Sequence, residues 1–182
     1  TDFTIVGDTA INHAIGLAKA SDNALKIIHI INEETKAKLK KDKQEETAII
    51  QKLSDISKKI VDEYGIKTYY LAREGSIFRI IGQIAEEDSV RFMVMGTHGV
   101  KGIQKVVGAY AIKVVTSVPV PTIIVQKKNF PEHGYKKLLL PIDSTVENKQ
   151  ILPYAIEIAK DFNSEIHLIL APETDKEKIE DL

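Results

Sequence analysis

The chain has 182 residues, is 43% hydrophobic and 28% charged, and carries a formal net charge of −1 with no cysteine. It can bury a sizeable core and shows no compositional sign of disorder, and disulfides, thiolate metal sites and a cysteine nucleophile are excluded. The near-zero charge argues against wholesale nucleic-acid binding, and no apolar run approaches the roughly 20 residues of a membrane span. With no basic-then-apolar leader, a cytoplasmic location is the default expectation.

The opening segment carries Asp2 and then Ala14-Ile-Gly-Leu-Ala-Lys19. Leu25-Lys-Ile-Ile-His-Ile-Ile31 is short, β-branched and nearly all apolar, the composition of a strand covered on both faces, and it makes His29 a packed core residue. Glu33 to Glu46 mixes Lys36, Lys38, Lys40, Lys41 and Lys43 with acidic residues and reads as a solvated helix face. Ala48, Ile49, Leu53, Ile56, Ile60 and Tyr64 then recur at helical spacing up to Gly65, which predicts an amphipathic helix.

Lys67 to Ala72 reads as a strand, and Ser76 as the N-cap of a helix with Ile77, Ile80, Ile81 and Ile84 on one face. Arg91-Phe-Met-Val-Met95 is a strand feeding a loop with Gly96, Gly99 and Gly102. Without Cβ atoms the loop can turn several N–H groups toward one anion at a helix N-terminus, although its spacing is neither G-x-G-x-x-G nor a P-loop. A helix from Ile103 carries Val106, Val107, Ala111, Val114 and Val115, and Pro121 to Gln126 is a last strand. Such strict alternation predicts right-handed βαβ units and a parallel sheet between helix layers, with ligands beyond the carboxyl ends of the strands. Asp2 and the Gly96 loop both fall at such ends.

The chain also repeats itself. Ala155-Ile-Glu-Ile-Ala-Lys160 echoes the segment at Ala14, and both Ala14 to Ala155 and Asp2 to Asp143 span 141 positions (155 − 14 and 143 − 2). Tyr135 to Ile142 is a strand leading to Asp143, whereas its counterpart would precede Thr1. Pro153, opposite Asn12, should delay or kink the helix of the second copy. The expected organisation is a domain over 1–126 lacking its first strand, a linker over 127–134 and a β-α-β start of a second copy over 135–182. The parent protein is expected to extend beyond both ends, and Tyr135 to Ile142 is a candidate to fill the first-strand position by domain swapping.

Asp2 followed by Phe3-Thr4, a strand ending in His29-Ile-Ile31, and Met95-Gly-Thr-His-Gly99 before Val-Lys-Gly102 together resemble the universal stress protein family in a tandem arrangement. The resemblance implies an α/β, Rossmann-like open parallel five-stranded sheet in the order 3-2-1-4-5, with helices on both faces. It also implies an ATP site, with Mg2+, on a Gly-x2-Gly-x9-Gly-Ser/Thr motif. Gly96 and Gly99 match the first pair, but eight residues separate Gly99 from Gly108, and Ala109 stands where the motif has a hydroxyl. Carried over, Asp2 lies by the adenosine, Ile30 lines the adenine pocket, and Gly96, His98, Gly99, Gly108 and Ala109 surround the ribose and phosphates; Lys101 and Lys105, which the resemblance does not supply, are nearby cationic candidates.

The expected function is therefore an adenine-nucleotide-binding regulatory module in stress response, not an enzyme, since no acid–base pair or nucleophile constellation is visible. The alternative is a structural dimerisation module of the same family without nucleotide; an adenylyl-transferring enzyme ranks third because its His-x-Gly-His loop is absent. Ile123, Ile124 and Val125 make Pro121 to Gln126 apolar on both faces, which predicts a homodimer paired through that strand. Asp2 has a plainer reading as a turn or cap residue.

Overall fold

The computed structural model describes residues 1–97, 109–126, 128–143 and 150–170, with the backbone alone of Ala109 and Tyr110. They form two compact units, Thr1–Phe130 and Pro131–Leu182. The first unit runs α1 (Ile5–Ser21), β1 (Leu25–Ile31), α2 (Glu33–Lys41), α3 (Thr47–Tyr64), β2 (Thr68–Glu74), α4 (Ile77–Glu87), β3 (Met93–Gly96), α5 (Ala109–Val115) and β4 (Thr122–Val125).

Each helix has local reasons for its limits. Thr4 caps α1 by accepting the Gly7 N–H at 3.3 Å, and Asp22 ends it in the left-handed conformation with its N–H on the Ala18 carbonyl. Asn32 caps α2 by accepting from the Thr35 N–H at 2.9 Å, and α2 buries none of its residues, as its mixed charges require. Gly65 closes α3 at φ 68°, its N–H on the Val61 carbonyl at 2.9 Å. Ser76 does occupy the N-cap position of α4, but its side chain makes no capping bond.

β1 and β2 pair in parallel from Leu25↔Thr68 to Ile31↔Glu74. Because side chains alternate across a strand, Ile27 and Ile31 face one layer while Ile28 and Ile30 face the other. The first set packs with Ile15 and Ala18 of α1 and with Ile49, Leu53 and Ile60 of α3; the second packs with Ile80 and Ile84 of α4. β3 and β4 pair in parallel from Met93↔Thr122 to Gly96↔Val125, and Met93 and Met95 pack toward Ala85 of α4 and Val114 of α5. Parallel strands between helix layers are the expected architecture.

The expected continuous five-stranded sheet is not seen. Among the described residues the strands form three separate pairs, β1-β2, β3-β4 and, in the second unit, β5-β6, so the order 3-2-1-4-5 is not realised. α1 packs on both pairs and links them instead.

The second unit consists of β5 (Lys137–Ile142), α6 (Leu152–Phe162) and β6 (Glu165–Leu170), with β5 and β6 parallel. Pro153 sits in the first turn of α6, where its missing N–H breaks no intrahelical bond. Leu140, Ile142 and Ala155 form its core, while Leu139 and Leu168 remain exposed.

Within the first unit, the segment after β4 is tied back to α1. His13 is buried and its Nε2 lies 2.8 Å from the Lys128 carbonyl, and the Phe130 ring meets His13 edge to face at 5.5 Å. Phe130 sits over Gly16, where an added Cβ would come within 2.3 Å of the ring. The Gly16→Ala variant is therefore expected to lose about 1–3 kcal/mol of stability by overpacking. Chemical denaturation tests this, and in a Phe130→Ala background the same change should cost far less, because the clashing ring is gone.

Candidate functional site

The candidate site lies at the carboxyl ends of β1 and β3, beside the entry to α1. Gly96, the last residue of β3, is pressed against the first turn of α1: a Cβ there would lie 2.5 Å from the Val6 carbonyl oxygen and 2.6 Å from Val6 Cγ1. Only a residue without a Cβ permits that approach. The contact brings the end of β3 to the same place as the residues just before α1, Asp2 among them.

Asp2 is engaged locally. Its Oδ1 accepts from the Thr4 N–H at 3.1 Å and from the Thr4 hydroxyl at 2.7 Å, while Thr4 Oγ1 accepts from Gly7. This is an Asx turn feeding an N-cap, the plainer of the two expected roles. Gly7 contributes space: an added Cβ would approach Asp2 Oδ1 and Thr1 Oγ1 to 2.7 Å. Asp2 thus sits where the positive end of α1 favours an anionic side chain.

The other expected contacts are distributed differently. Ile30 is 8% exposed and packs with Ile80 and Ile84, so its side chain belongs to the core beneath the strand ends. Ala109 is the first described residue of α5, and only its backbone is described. His98, Gly99, Gly108, Lys101 and Lys105 lie outside the described residues. Thr97, the residue after β3, is buried and its N–H donates to the Val125 carbonyl at 2.9 Å, which extends the β3-β4 ladder to the mouth of the loop. No group of three or more His, Asp or Glu suited to a metal occurs among the described residues.

The structure adds residues that periodicity could not single out. His29 is buried, as its place in an apolar strand implies, but it is also bonded: Nδ1 lies 2.8 Å from the Thr1 carbonyl, and Nε2 lies 3.4 Å from the Thr35 hydroxyl. A carbonyl oxygen only accepts, so Nδ1 must carry the proton. Phe3 stacks on this ring with centroids 4.7 Å apart. Phe3 also has φ 59°, a left-handed backbone in a bulky residue, and no sequence signal marks it.

Burial pushes the His29 pKa down, opposed by the Thr1 carbonyl, lowered further by the terminal ammonium and Lys38, and raised slightly by Asp2. The folded protein therefore holds His29 neutral over a range where the unfolded chain protonates it. Its stabilising contribution is complete above the ordinary value of 6.5 and is lost as pH falls below it, toward the lowered folded value. Denaturation across that window should show stability falling with pH, with a shallower slope in His29→Asn; equal slopes would contradict the assignment.

A sequence profile described as the Universal stress protein family matches residues 1–126. A universal stress protein of Methanocaldococcus jannaschii is 27% identical over 138 residues, covering 70% of this chain and 79% of that protein. Among solved structures, a universal stress protein from Archaeoglobus fulgidus superposes with TM-score 0.71 at 20% identity, covering 100% of this chain and 68% of that one. A universal stress protein in complex with cAMP superposes with TM-score 0.54 at 17% identity, covering 70% of this chain and 93% of that one. A profile match over residues 1–126 of 182, on a parallel α/β frame shared with these structures, places the chain in the universal stress protein family.

Proposed function

We propose that the chain is an adenine-nucleotide-binding regulatory module, taking ATP with Mg2+ at the carboxyl ends of β1 and β3, and that it is not an enzyme. The observation that carries this reading is the approach of Gly96 to Val6, which sets the carboxyl end of β3 beside the first turn of α1 and the segment that holds Asp2. Loops in that position bind phosphate through backbone N–H groups. The similarity in fold to a universal stress protein complexed with cAMP supports an adenine nucleotide as the ligand class. Asp2 and Ile30 serve the adenosine side, and Gly96, His98, Gly99, Gly108 and Ala109 serve the ribose and phosphates.

Ala109 offers no hydroxyl, so one donor to phosphate is missing, a loss of about 1.5–3 kcal/mol for a bond to a charged group. Binding of modest affinity is expected in a calorimetric titration with ATP, with GTP as control. Gly99→Val should abolish it by placing a branched side chain where backbone must approach phosphate, and Ala109→Ser should tighten it. Unchanged binding in Gly99→Val would place the ligand elsewhere.

The alternative reading is a structural module that dimerises without nucleotide, and an absent ATP signal would favour it. Both readings include a homodimer through residues 121–126. β4 has β3 on one side and no strand on its other side among the described residues, and Ile123 and Ile124 are only half-buried. An edge of that kind invites pairing. Light scattering at micromolar concentration should give a dimer that Ile124→Lys dissociates; a monomer, or a dimer indifferent to that change, would contradict it. No described helix is long and apolar enough to cross a membrane.

A further inference from the structure

A bulky residue keeps a left-handed backbone only when its surroundings enforce it, and such residues cluster where a site stores strain. Phe3, at φ 59°, is enforced from several directions. Its ring lies nearly parallel to the His29 imidazole, with 24° between the planes, and the Lys52 ammonium stands 5.7 Å above the same ring. Its N–H donates to Thr1 Oγ1 at 3.1 Å. His29 in turn holds the Thr1 carbonyl at 2.8 Å.

These contacts bracket Asp2. The residue before it is held by a hydrogen bond from His29, and the residue after it is held by the stack on the same ring. With both neighbours fixed, the reversal at Phe3 turns the chain so that the Asp2 carboxylate reaches Thr4 and the first turn of α1. An apolar side chain at position 29 could fill the volume, but it would leave the Thr1 carbonyl without this donor and remove one of the bonds that fix the peptide before Asp2.

We infer that His29 and Phe3 are positioning residues for nucleotide binding: they touch no ligand, but together they hold Asp2 in the orientation from which its carboxylate meets the adenosine side. This rests on the nucleotide-binding reading given above. Asn at position 29 keeps a short N–H donor toward Thr1, whereas Leu keeps only the bulk.

The test is a double-mutant cycle on the whole chain, read by ATP titration with melting curves recorded for every variant. Asp2→Ala and His29→Leu are each expected to weaken ATP binding by about tenfold, and the double variant no further, because both changes act through the same carboxylate. His29→Asn should return affinity to within about threefold of the wild type. If His29→Leu does not fold, Phe3→Gly carries the same cycle, since glycine accepts the positive φ while removing the stack. Additive losses, unchanged affinity in His29→Leu, or no rescue by Asn would overturn the positioning role while leaving nucleotide binding standing. A wild-type chain that does not bind ATP overturns the nucleotide reading, and the positioning role with it.

Discussion

The close approach of Gly96 to Val6 is the constraint on which the rest of the first unit depends. It seats the end of β3 under the first turn of α1, and α1 packs on both parallel strand pairs. Val6 is 2% exposed, so this joint is a core contact, not a surface one. Any side chain at position 96 would push the strand and the helix apart, and with the helix the segment holding Asp2. A packing requirement and the proposed ligand-binding requirement thus converge on one residue.

Around that joint, polar groups serve more than one partner. The Asp2 carboxylate stabilises the entry to α1 by accepting from both the N–H and the hydroxyl of Thr4, whose oxygen in turn accepts from Gly7. His29 follows the same logic. Its burial is stabilising only while it is neutral and donating to the Thr1 carbonyl, so a residue in the apolar core is coupled to the polar edge of the site.

The two faces of β1 divide the labour. Ile27 and Ile31 join α1 and α3 in the largest cluster, and Ile28 and Ile30 join α4. Ile30 shows the alternation at the carboxyl end of β1, where its side chain packs into the core with Ile80 and Ile84. The second unit follows a similar rule on a smaller scale, with Leu140 and Ile142 inward and Leu139 outward along β5.

Much of this was legible in the sequence because its causes are local. The apolar run at Leu25, the helical spacing from Ala48 to Tyr64, the stop at Gly65, the solvated charges of α2 and the strand before Gly96 follow from residue periodicity and backbone permissiveness. The place of Gly96 at the end of β3 follows from the same pattern. Tertiary structure alone decided that Phe3 adopts a left-handed backbone, that His29 bonds to Thr1, that Gly16 makes room for Phe130, and that the strands of the first unit pair two by two. Each of these joins residues far apart in the chain, His29 to Thr1 across 28 positions and His13 to Lys128 across 115, where no local propensity carries the information.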